Sequence, residues 1–197
     1  FSSEKQTFAN HHYKIMVAEV ASTCNEVLLT KYLLREEKDP MRRAYILNHF
    51  LEGFRTTVFR QTLFAEFEYQ VHEMYEKGLP LTPDSLSETY EELLKLYYDG
   101  AAVPEVMKYE WSYIPHFYRA FYVYKYATGF SSAVAIANNI LETGDASNYL
   151  KFLSLGGSDY PVEELRVAGI HLDDPETVKS ALKVFDETID ELADLLK

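Results

Sequence analysis

The sequence predicts an all-α fold made of many helices, and three observations support this fold class. Apolar residues recur at helical spacing over long stretches of the 197-residue chain. Helix breakers are sparse, with 8 Gly and 7 Pro, and they stand where helices should begin or end. The chain contains no convincing strand pattern and no internal repeat of the solenoid type. We therefore expect residues 1–197 to form a single helical region.

The first half of the chain predicts one buried helix and one very long helical stretch. The helix predicted for residues 13–35 has apolar side chains on almost every side, so we expect it to be deeply buried. Asp39 then provides an N-cap, and Pro40 stands at the first helical position. From there to Gly78 the helical spacing continues, which predicts one long helix or two nearly collinear helices with a bend near Gly53.

The second half of the chain predicts five further helices, separated by Gly, Pro and Asp residues. Thr82 and Pro83 open the first of these helices, and Asp99-Gly100 closes it. A longer helix follows Pro115. The five predicted helices cover residues 82–98, 115–143, 146–155, 162–168 and 176–197.

Composition limits the possible partners and the compartment. A net charge of −12 argues against nucleic acid or an anionic membrane surface as the main partner, whereas basic peptides and metal cations remain compatible. The single cysteine, Cys24, forms no internal disulfide, so we expect a reducing, cytoplasmic setting. No run of about eighteen apolar residues predicts a membrane span. The opening Phe1-Ser2-Ser3 reads like the interior of a longer protein, so we expect a chain boundary there.

A polar stripe interrupts the apolar helix predicted for residues 13–35. Its members share one helical face because they stand at positions i, i+3, i+4 and i+7, and they are Glu19, Ser22, Thr23 and Glu26. One interpretation is that the stripe is the solvent face of an amphipathic helix. The other is that the acids line a site, since a buried carboxylate is costly unless it meets a cation or a metal. The spacing does not decide between them.

The residues around this stripe, 17–26 (VAEVASTCNE), resemble a segment of the oligoendopeptidase F-type zinc peptidases, relatives of the thimet oligopeptidases. In that family the segment follows the HExxH helix, and its first Glu is the third protein ligand of zinc. The resemblance implies this role for Glu19. Glu26 would then be an acid that orients a ligand histidine, or an ordinary buried acid bonded to a backbone group.

The other half of such a zinc site is absent from the sequence. No HExxH occurs, and the nearest match starts at His72 but has Glu76 where the second histidine should stand, so we expect a surface helix end there. His11 and His12 are adjacent; on a helix they would point about 100° apart, so we expect loop or substrate-side residues rather than a metal pair. We therefore expect the chain to begin downstream of HExxH, to bind no zinc alone and to be inactive alone.

Aromatic residues crowd a second stretch, residues 109–126, which holds six tyrosines. It predicts either an aromatic core with hydroxyls at its rim or a wet cleft in which phenols and an imidazole face a peptide. The runs 114–118 (IPHFY) and 121–129 (FYVYKYATG) again resemble oligoendopeptidase F. The resemblance implies that His116 contacts the substrate backbone and that Tyr118 stabilises the oxyanion. Tyr124 is the expected second donor, with Tyr122 or Tyr126 as alternatives.

The resemblance covers nearly the whole chain, because residues 60–68, 149–158 and 167–170 also look like these enzymes. It implies the C-terminal part of the catalytic domain of a zincin-like oligopeptidase that cleaves short peptides in a deep channel. The missing N-terminal half with HExxH would be a partner of this chain, and exposed apolar faces predict self-association. The alternative is a noncatalytic helical module that binds peptides or a protein in a tyrosine-rich cleft.

Overall fold

The computed structural model describes all residues, Phe1–Lys197, and contains helices but no strand. The all-α prediction is therefore confirmed. The α-helices are α1 (Ser2–Lys5), α2 (Ile15–Glu36), α3 (Pro40–Gly53), α4 (Arg60–Glu76), α5 (Pro83–Tyr97), α6 (Tyr124–Thr143), α7 (Ser147–Leu153), α8 (Pro161–Val167) and α9 (Glu176–Leu195). A π-helical segment covers Phe54–Phe59, and 3₁₀-helical segments cover Glu105–Tyr113 and Pro115–Tyr118. No helix is both long enough and apolar enough to span a bilayer.

The helix starts predicted at Asp39 and Thr82 are confirmed by local geometry, and the long helical stretch changes its geometry near Gly53, as one of the two alternatives expected. The Asp39 carboxylate accepts a hydrogen bond from the backbone N–H of Arg42 at 2.9 Å, which caps α3. Thr82 caps α5 in a reciprocal pair with Ser85. The long helical stretch changes to π-helical geometry directly after Gly53, so two α-helices flank a widened turn instead of forming one uninterrupted helix.

The predicted helix over residues 115–143 is wrong in its first part. Pro115–Tyr118 forms a short 3₁₀ segment, and α6 begins only at Tyr124. Between them Phe121 has a φ of 53°, in the left-handed region that interrupts a right-handed helix. Apolar spacing continues through this turn, which is why the pattern alone predicts an uninterrupted helix.

Helix α2 is buried on one face and not all round, so the prediction of a deeply buried helix is also wrong in this chain. Its buried residues are Val17, Val20, Cys24, Val27 and Leu34. Leu29, Tyr32 and Leu33 lie elsewhere on the helix surface and are exposed by 57%, 52% and 43%. The helix therefore presents both a polar stripe and apolar side chains to its surroundings.

The chain divides into two compact units. Unit 1 comprises Phe1–Phe54 and Thr128–Lys197, and within it α3 packs on α2 and α9, while α8 packs on α2 and α7. Unit 2 comprises Arg55–Ala127, where α5 packs against α4 and against the 3₁₀ segment Glu105–Tyr113. The core of unit 2 consists of Leu63, Phe64, Phe67, Tyr90, Leu93, Leu94, Ile114 and Val123.

Candidate functional site

The polar stripe of α2 leaves one carboxylate available. Glu19 is partly buried, and its carboxylate makes no hydrogen bond or ion pair within the chain. Ser22 is exposed and donates a hydrogen bond to the backbone carbonyl of Glu19 at 3.1 Å. A partly buried acid without an internal partner is costly to the fold. The Glu19 carboxylate is therefore available to coordinate a cation or to accept a hydrogen bond from a group outside the chain.

The opposite side of α2 is fixed by the interior of unit 1. The Tyr149 hydroxyl, from α7, donates a hydrogen bond to the backbone carbonyl of Ala21 at 2.9 Å. Cys24 is fully buried beside it, and this burial raises the pKa of the Cys24 thiol to about 11. These contacts fix the apolar face of α2 in unit 1, and they thereby fix the direction in which its polar face points.

Glu26 lies two turns after Glu19 and is exposed. It lines an open groove of about 300 Å³ together with His49 and the side chains of Leu29 and Leu33. The alternative of an ordinary buried acid is therefore wrong for this chain. Its role of orienting a ligand histidine stays a prediction.

His11 and His12 lie in the loop before α2, as expected, and their rings are in contact. The ring centroids are 3.9 Å apart, and His11 Nδ1 lies 2.6 Å from the carbonyl oxygen of Phe8. The backbone here packs against Gly156 and Gly157, where an added Cβ would lie 2.2 Å and 2.3 Å from carbonyl oxygens of this loop. Only glycine allows so close an approach.

No group of three or more His, Cys, Asp or Glu side chains is arranged so that it could hold a metal ion. His72, the first residue of the partial HExxH match, is exposed near the end of α4. The next residue, Glu73, forms an ion pair with Lys77 at 2.9 Å. The expectation of a surface helix end at this position is confirmed.

In unit 2 the aromatic stretch places an imidazole against two phenols. The His116 ring stacks on the Tyr122 ring with centroids 5.7 Å apart, and the Tyr126 hydroxyl lies 3.3 Å from His116 Nε2. The Tyr122 and Tyr126 rings are themselves in edge contact, with centroids 5.8 Å apart. We call these three residues the His116 cluster. All three residues are only partly buried, so solvent reaches the cluster.

The two tyrosines expected to act as donors lie on either side of this cluster in sequence. Tyr118 ends the 3₁₀ segment and is 86% exposed, whereas Tyr124 begins α6 and is 43% exposed. The structure brings His116 together with Tyr122 and Tyr126, which the spacing left only as alternatives to Tyr124.

Two buried acids of unit 2 were not singled out from the sequence. Glu68 is 6% exposed and accepts a hydrogen bond from the backbone N–H of Phe121 at 2.6 Å. A signal existed, because Glu68 follows Phe64 by four positions and precedes Val71 by three, which places a carboxylate on an apolar helical face.

The second buried acid, Glu110, is 3% exposed and has several partners. It forms an ion pair with Arg60, and the Tyr90 hydroxyl donates a 2.6 Å hydrogen bond to it. Burial opposes the charge on Arg60, but the hydrogen bond and the charge of Glu110 raise the pKa of the guanidinium. Burial raises the pKa of the Tyr90 phenol, and the neighbouring Glu110 raises it further. These three side chains therefore satisfy one another in the core of unit 2, and we do not assign them to the candidate functional site.

Comparison with known sequences decides the family. The sequence pattern described as peptidase family M3 matches residues 1–184. The chain belongs to peptidase family M3. The resemblance to oligoendopeptidase F is confirmed by "Oligopeptidase PepF" of Bacillus subtilis, which is 47% identical over all of this M3 chain and 30% of its own length. "Oligoendopeptidase F, chromosomal" of Lactococcus lactis is 43% identical over all of the M3 chain and 33% of its own length.

Solved structures agree with this assignment. The crystal structure of oligoendopeptidase-F from Enterococcus faecium superposes on the M3 chain with a TM-score of 0.88, and the two sequences are 49% identical. The match covers 93% of this chain and 36% of that one. A putative peptidase from Chlamydophila abortus is 40% identical, with a TM-score of 0.92 over 98% and 33%. The M3 chain spans about a third of the length of the relatives it matches.

Proposed function

We propose that residues 1–197 are the C-terminal part of the catalytic domain of a zinc-dependent oligoendopeptidase that hydrolyses short peptides in a deep channel. The observation that carries this proposal is the carboxylate of Glu19, which is partly buried on α2 and has no partner within the chain. It stands in the segment whose family counterpart ligates zinc. The names of the relatives, oligopeptidase and oligoendopeptidase, support peptides as substrates.

The donor chemistry of this chain fits one position of such a metal site. A carboxylate oxygen is an ordinary zinc ligand, and a catalytic zinc takes three protein ligands and keeps an open position. Glu19 would hold one of these positions, and the two histidines of an HExxH segment would hold the others. Zinc supplies Lewis-acid chemistry, which polarises the scissile carbonyl and acidifies the attacking water. Glu26 would orient one of the ligand histidines.

The aromatic residues of unit 2 would bind the peptide and stabilise developing charge. His116, held by Tyr122 and Tyr126, would contact the substrate backbone through its imidazole. The Tyr118 hydroxyl, on an 86% exposed side chain, would donate a hydrogen bond to the oxyanion. We keep Tyr124 as the expected second donor. Tyr126 is the structural alternative, because its hydroxyl lies next to His116.

The proposal predicts that residues 1–197 alone cleave no peptide, since one carboxylate cannot hold a catalytic zinc. The test compares this chain with a joined protein, in which a preceding segment carrying HExxH is fused ahead of Phe1. A quenched fluorescent peptide serves as substrate, with and without a chelator. We expect hydrolysis by the joined protein, its loss with chelator and its recovery with zinc.

Two results would contradict the proposal. Zinc-dependent cleavage by residues 1–197 alone would show that the metal site needs nothing further. A correctly folded joined protein that binds zinc and peptide but never cleaves would favour a noncatalytic peptide-binding module.

The same proposal implies contacts between this chain and the HExxH segment in a cytoplasmic enzyme. Exposed apolar residues on α2 and α3 are available for such contacts, including Leu29, Tyr32, Met41 and Tyr45. Without the HExxH segment these side chains would promote self-association. Light scattering should show residues 1–197 growing in apparent mass with concentration, and a clean monomer over a wide range would contradict this.

A further inference from the structure

A strained turn lies between the two tyrosines expected as donors. Phe121 adopts a φ of 53°, and it is the only non-glycine residue of the chain with a positive φ. A bulky side chain is disfavoured in this region, so the surrounding structure has to hold the turn in place. Strain of this kind is often found at functional sites.

Two side chains of α4 hold Phe121. The Glu68 carboxylate accepts the hydrogen bond from its backbone N–H at 2.6 Å, and the His72 ring stacks on its phenyl ring with centroids 4.6 Å apart. Glu68 and His72 are four residues apart, so they project from the same face of α4. One residue of the turn is thus fixed at both its backbone and its side chain.

The contact of Glu68 differs from the other buried contacts in unit 2. Glu68 is 6% exposed, forms no ion pair and has the Phe121 N–H as its one hydrogen-bond partner within the chain. A buried carboxylate with a single neutral partner is costly to the fold. This one partner is the backbone N–H of the strained residue, so the contribution of Glu68 within the chain is its hold on the Phe121 turn.

The turn determines where the next residues lie. The residue after Phe121 is Tyr122, whose ring stacks on His116, and Tyr126 follows one turn later with its hydroxyl at His116 Nε2. If the turn relaxed to a negative φ, the chain would leave in another direction and Tyr122 would lose its place at His116. The geometry of the His116 cluster therefore depends on the turn.

We propose that Glu68 is a positioning residue, which holds the strained turn at Phe121 and thereby sets the geometry of the His116 cluster for peptide hydrolysis. The catalytic part of this inference depends on the proposed function, whereas the structural part does not. Glu68 would act through Phe121 and would not contact the substrate.

The test uses three substitutions in residues 1–197 and in the joined protein. Glu68→Ala removes the acceptor, and Glu68→Gln is the matched control that keeps an acceptor oxygen of the same reach. Phe121→Gly in the Glu68→Ala background provides a rescue, because glycine adopts a positive φ without strain. NMR of residues 1–197 follows hydrogen exchange of the residue 121 amide and the imidazole nitrogens of His116.

We expect Glu68→Ala to speed exchange of this amide by about tenfold or more, since the opening that exposes it becomes easier. The His116 nitrogen signals should shift in the same variant. Glu68→Gln should keep both close to wild type, and the glycine rescue should restore the His116 signals. In the joined protein, kcat of Glu68→Ala should fall about 10- to 100-fold, as expected for misplaced catalytic groups. KM should change little.

The outcomes separate this inference from the proposed function. Unchanged His116 signals in folded Glu68→Ala would overturn the inference, even if that variant were less stable overall. Equal kcat losses in Glu68→Ala and Glu68→Gln, with normal His116 signals in the latter, would also overturn it. If the joined protein never hydrolyses peptides, the proposed function fails, and the NMR comparison alone still decides whether Glu68 positions the His116 cluster.

Discussion

The acids of unit 2 and the acids of α2 occupy contrasting environments. In unit 2, Glu110 is buried with an arginine and two tyrosine hydroxyls, and Glu66 accepts a 2.8 Å hydrogen bond from the Tyr97 hydroxyl. On α2, Glu19 is partly buried without any internal partner, and Glu26 is exposed. Some carboxylates of this acidic chain therefore have hydrogen-bond or ion-pair partners within the fold, whereas others have none.

This contrast separates structural acids from candidate ligands. Removing the partner of a satisfied acid should cost stability, because a buried charge is then left without compensation. Removing an acid that has no internal partner should not lower stability and should affect what the acid binds. The following experiments are arranged in order of decreasing expected effect, and the first two test the two sides of this contrast directly.

The largest effect should follow Glu19→Ala in the joined protein. We expect peptide hydrolysis to become undetectable, a loss greater than the roughly 10–100-fold typical for residues that only orient a metal ligand. Zinc content per protein should fall as well. In residues 1–197 the same substitution should not lower the free energy of unfolding by more than about 0.5 kcal/mol. Glu26→Ala, with an expected loss of roughly 10–100-fold, is the comparison variant.

The opposite pattern is expected for Arg60→Met in unit 2. Its guanidinium is the cationic partner of Glu110, so this substitution should lower the free energy of unfolding by roughly 3–5 kcal/mol. Urea denaturation followed by fluorescence reports on this unit, because Trp111 is the single tryptophan and donates a hydrogen bond to Ser87. In the matched double variant Arg60→Met/Glu110→Gln the buried charge is gone, and most of the loss should disappear. A single variant as stable as wild type would contradict the account.

A smaller, purely catalytic effect is expected for Tyr118→Phe in the joined protein. Loss of the proposed oxyanion donor should lower kcat about 10²-fold, with little change in KM. Because Tyr118 is 86% exposed, the thermal midpoint should not move. Tyr75→Phe, at a comparably exposed tyrosine of the same unit, is the control and should retain full activity. Equal kcat values for both variants would remove Tyr118 from the proposed mechanism.

The smallest effect concerns pH and the buried Glu164 of unit 1. Burial raises the pKa of this carboxyl, although the hydrogen bond that it accepts from the backbone N–H of Asp159 opposes the rise, so the folded chain holds the proton more tightly than the unfolded chain. The group therefore favours folding most below its unfolded pKa and loses this contribution as the pH rises through its folded pKa.

Glu164→Gln should consequently gain stability relative to wild type at pH 7, and this gain should shrink as the pH falls toward 5. Urea denaturation followed by circular dichroism at both pH values measures the difference. Glu163→Gln, at an exposed neighbour, should show no such trend. A gain that grows as the pH falls would contradict the assigned sign.

Most of the fold was predictable because its signals are local. The caps at Asp39 and Thr82 and the change of helical geometry after Gly53 follow from residue types that stand at those positions. The start of α6 was not predictable, because the turn at Phe121 is held by Glu68, which is 53 residues away in sequence. Helical periodicity carries no information on such a contact.

The candidate site was predictable only in part. The family resemblance singled out Glu19 and His116, but the spacing of the tyrosines left the second donor open. The structure places Tyr122 and Tyr126 at His116, which depends on the direction that the chain takes after the strained turn. The exposure of the apolar residues on α2 was also missed, since an apolar pattern does not specify which chain segment covers it.

The most direct test of the central claim is a crystal structure of the joined protein, with anomalous scattering recorded at the zinc absorption edge. We predict one zinc ion with a Glu19 carboxylate oxygen at about 2.0–2.2 Å, the usual length of a zinc–carboxylate bond. A zinc ion fully ligated by other side chains, with Glu19 turned toward solvent, would contradict the claim that this acid is left without an internal partner in order to bind metal.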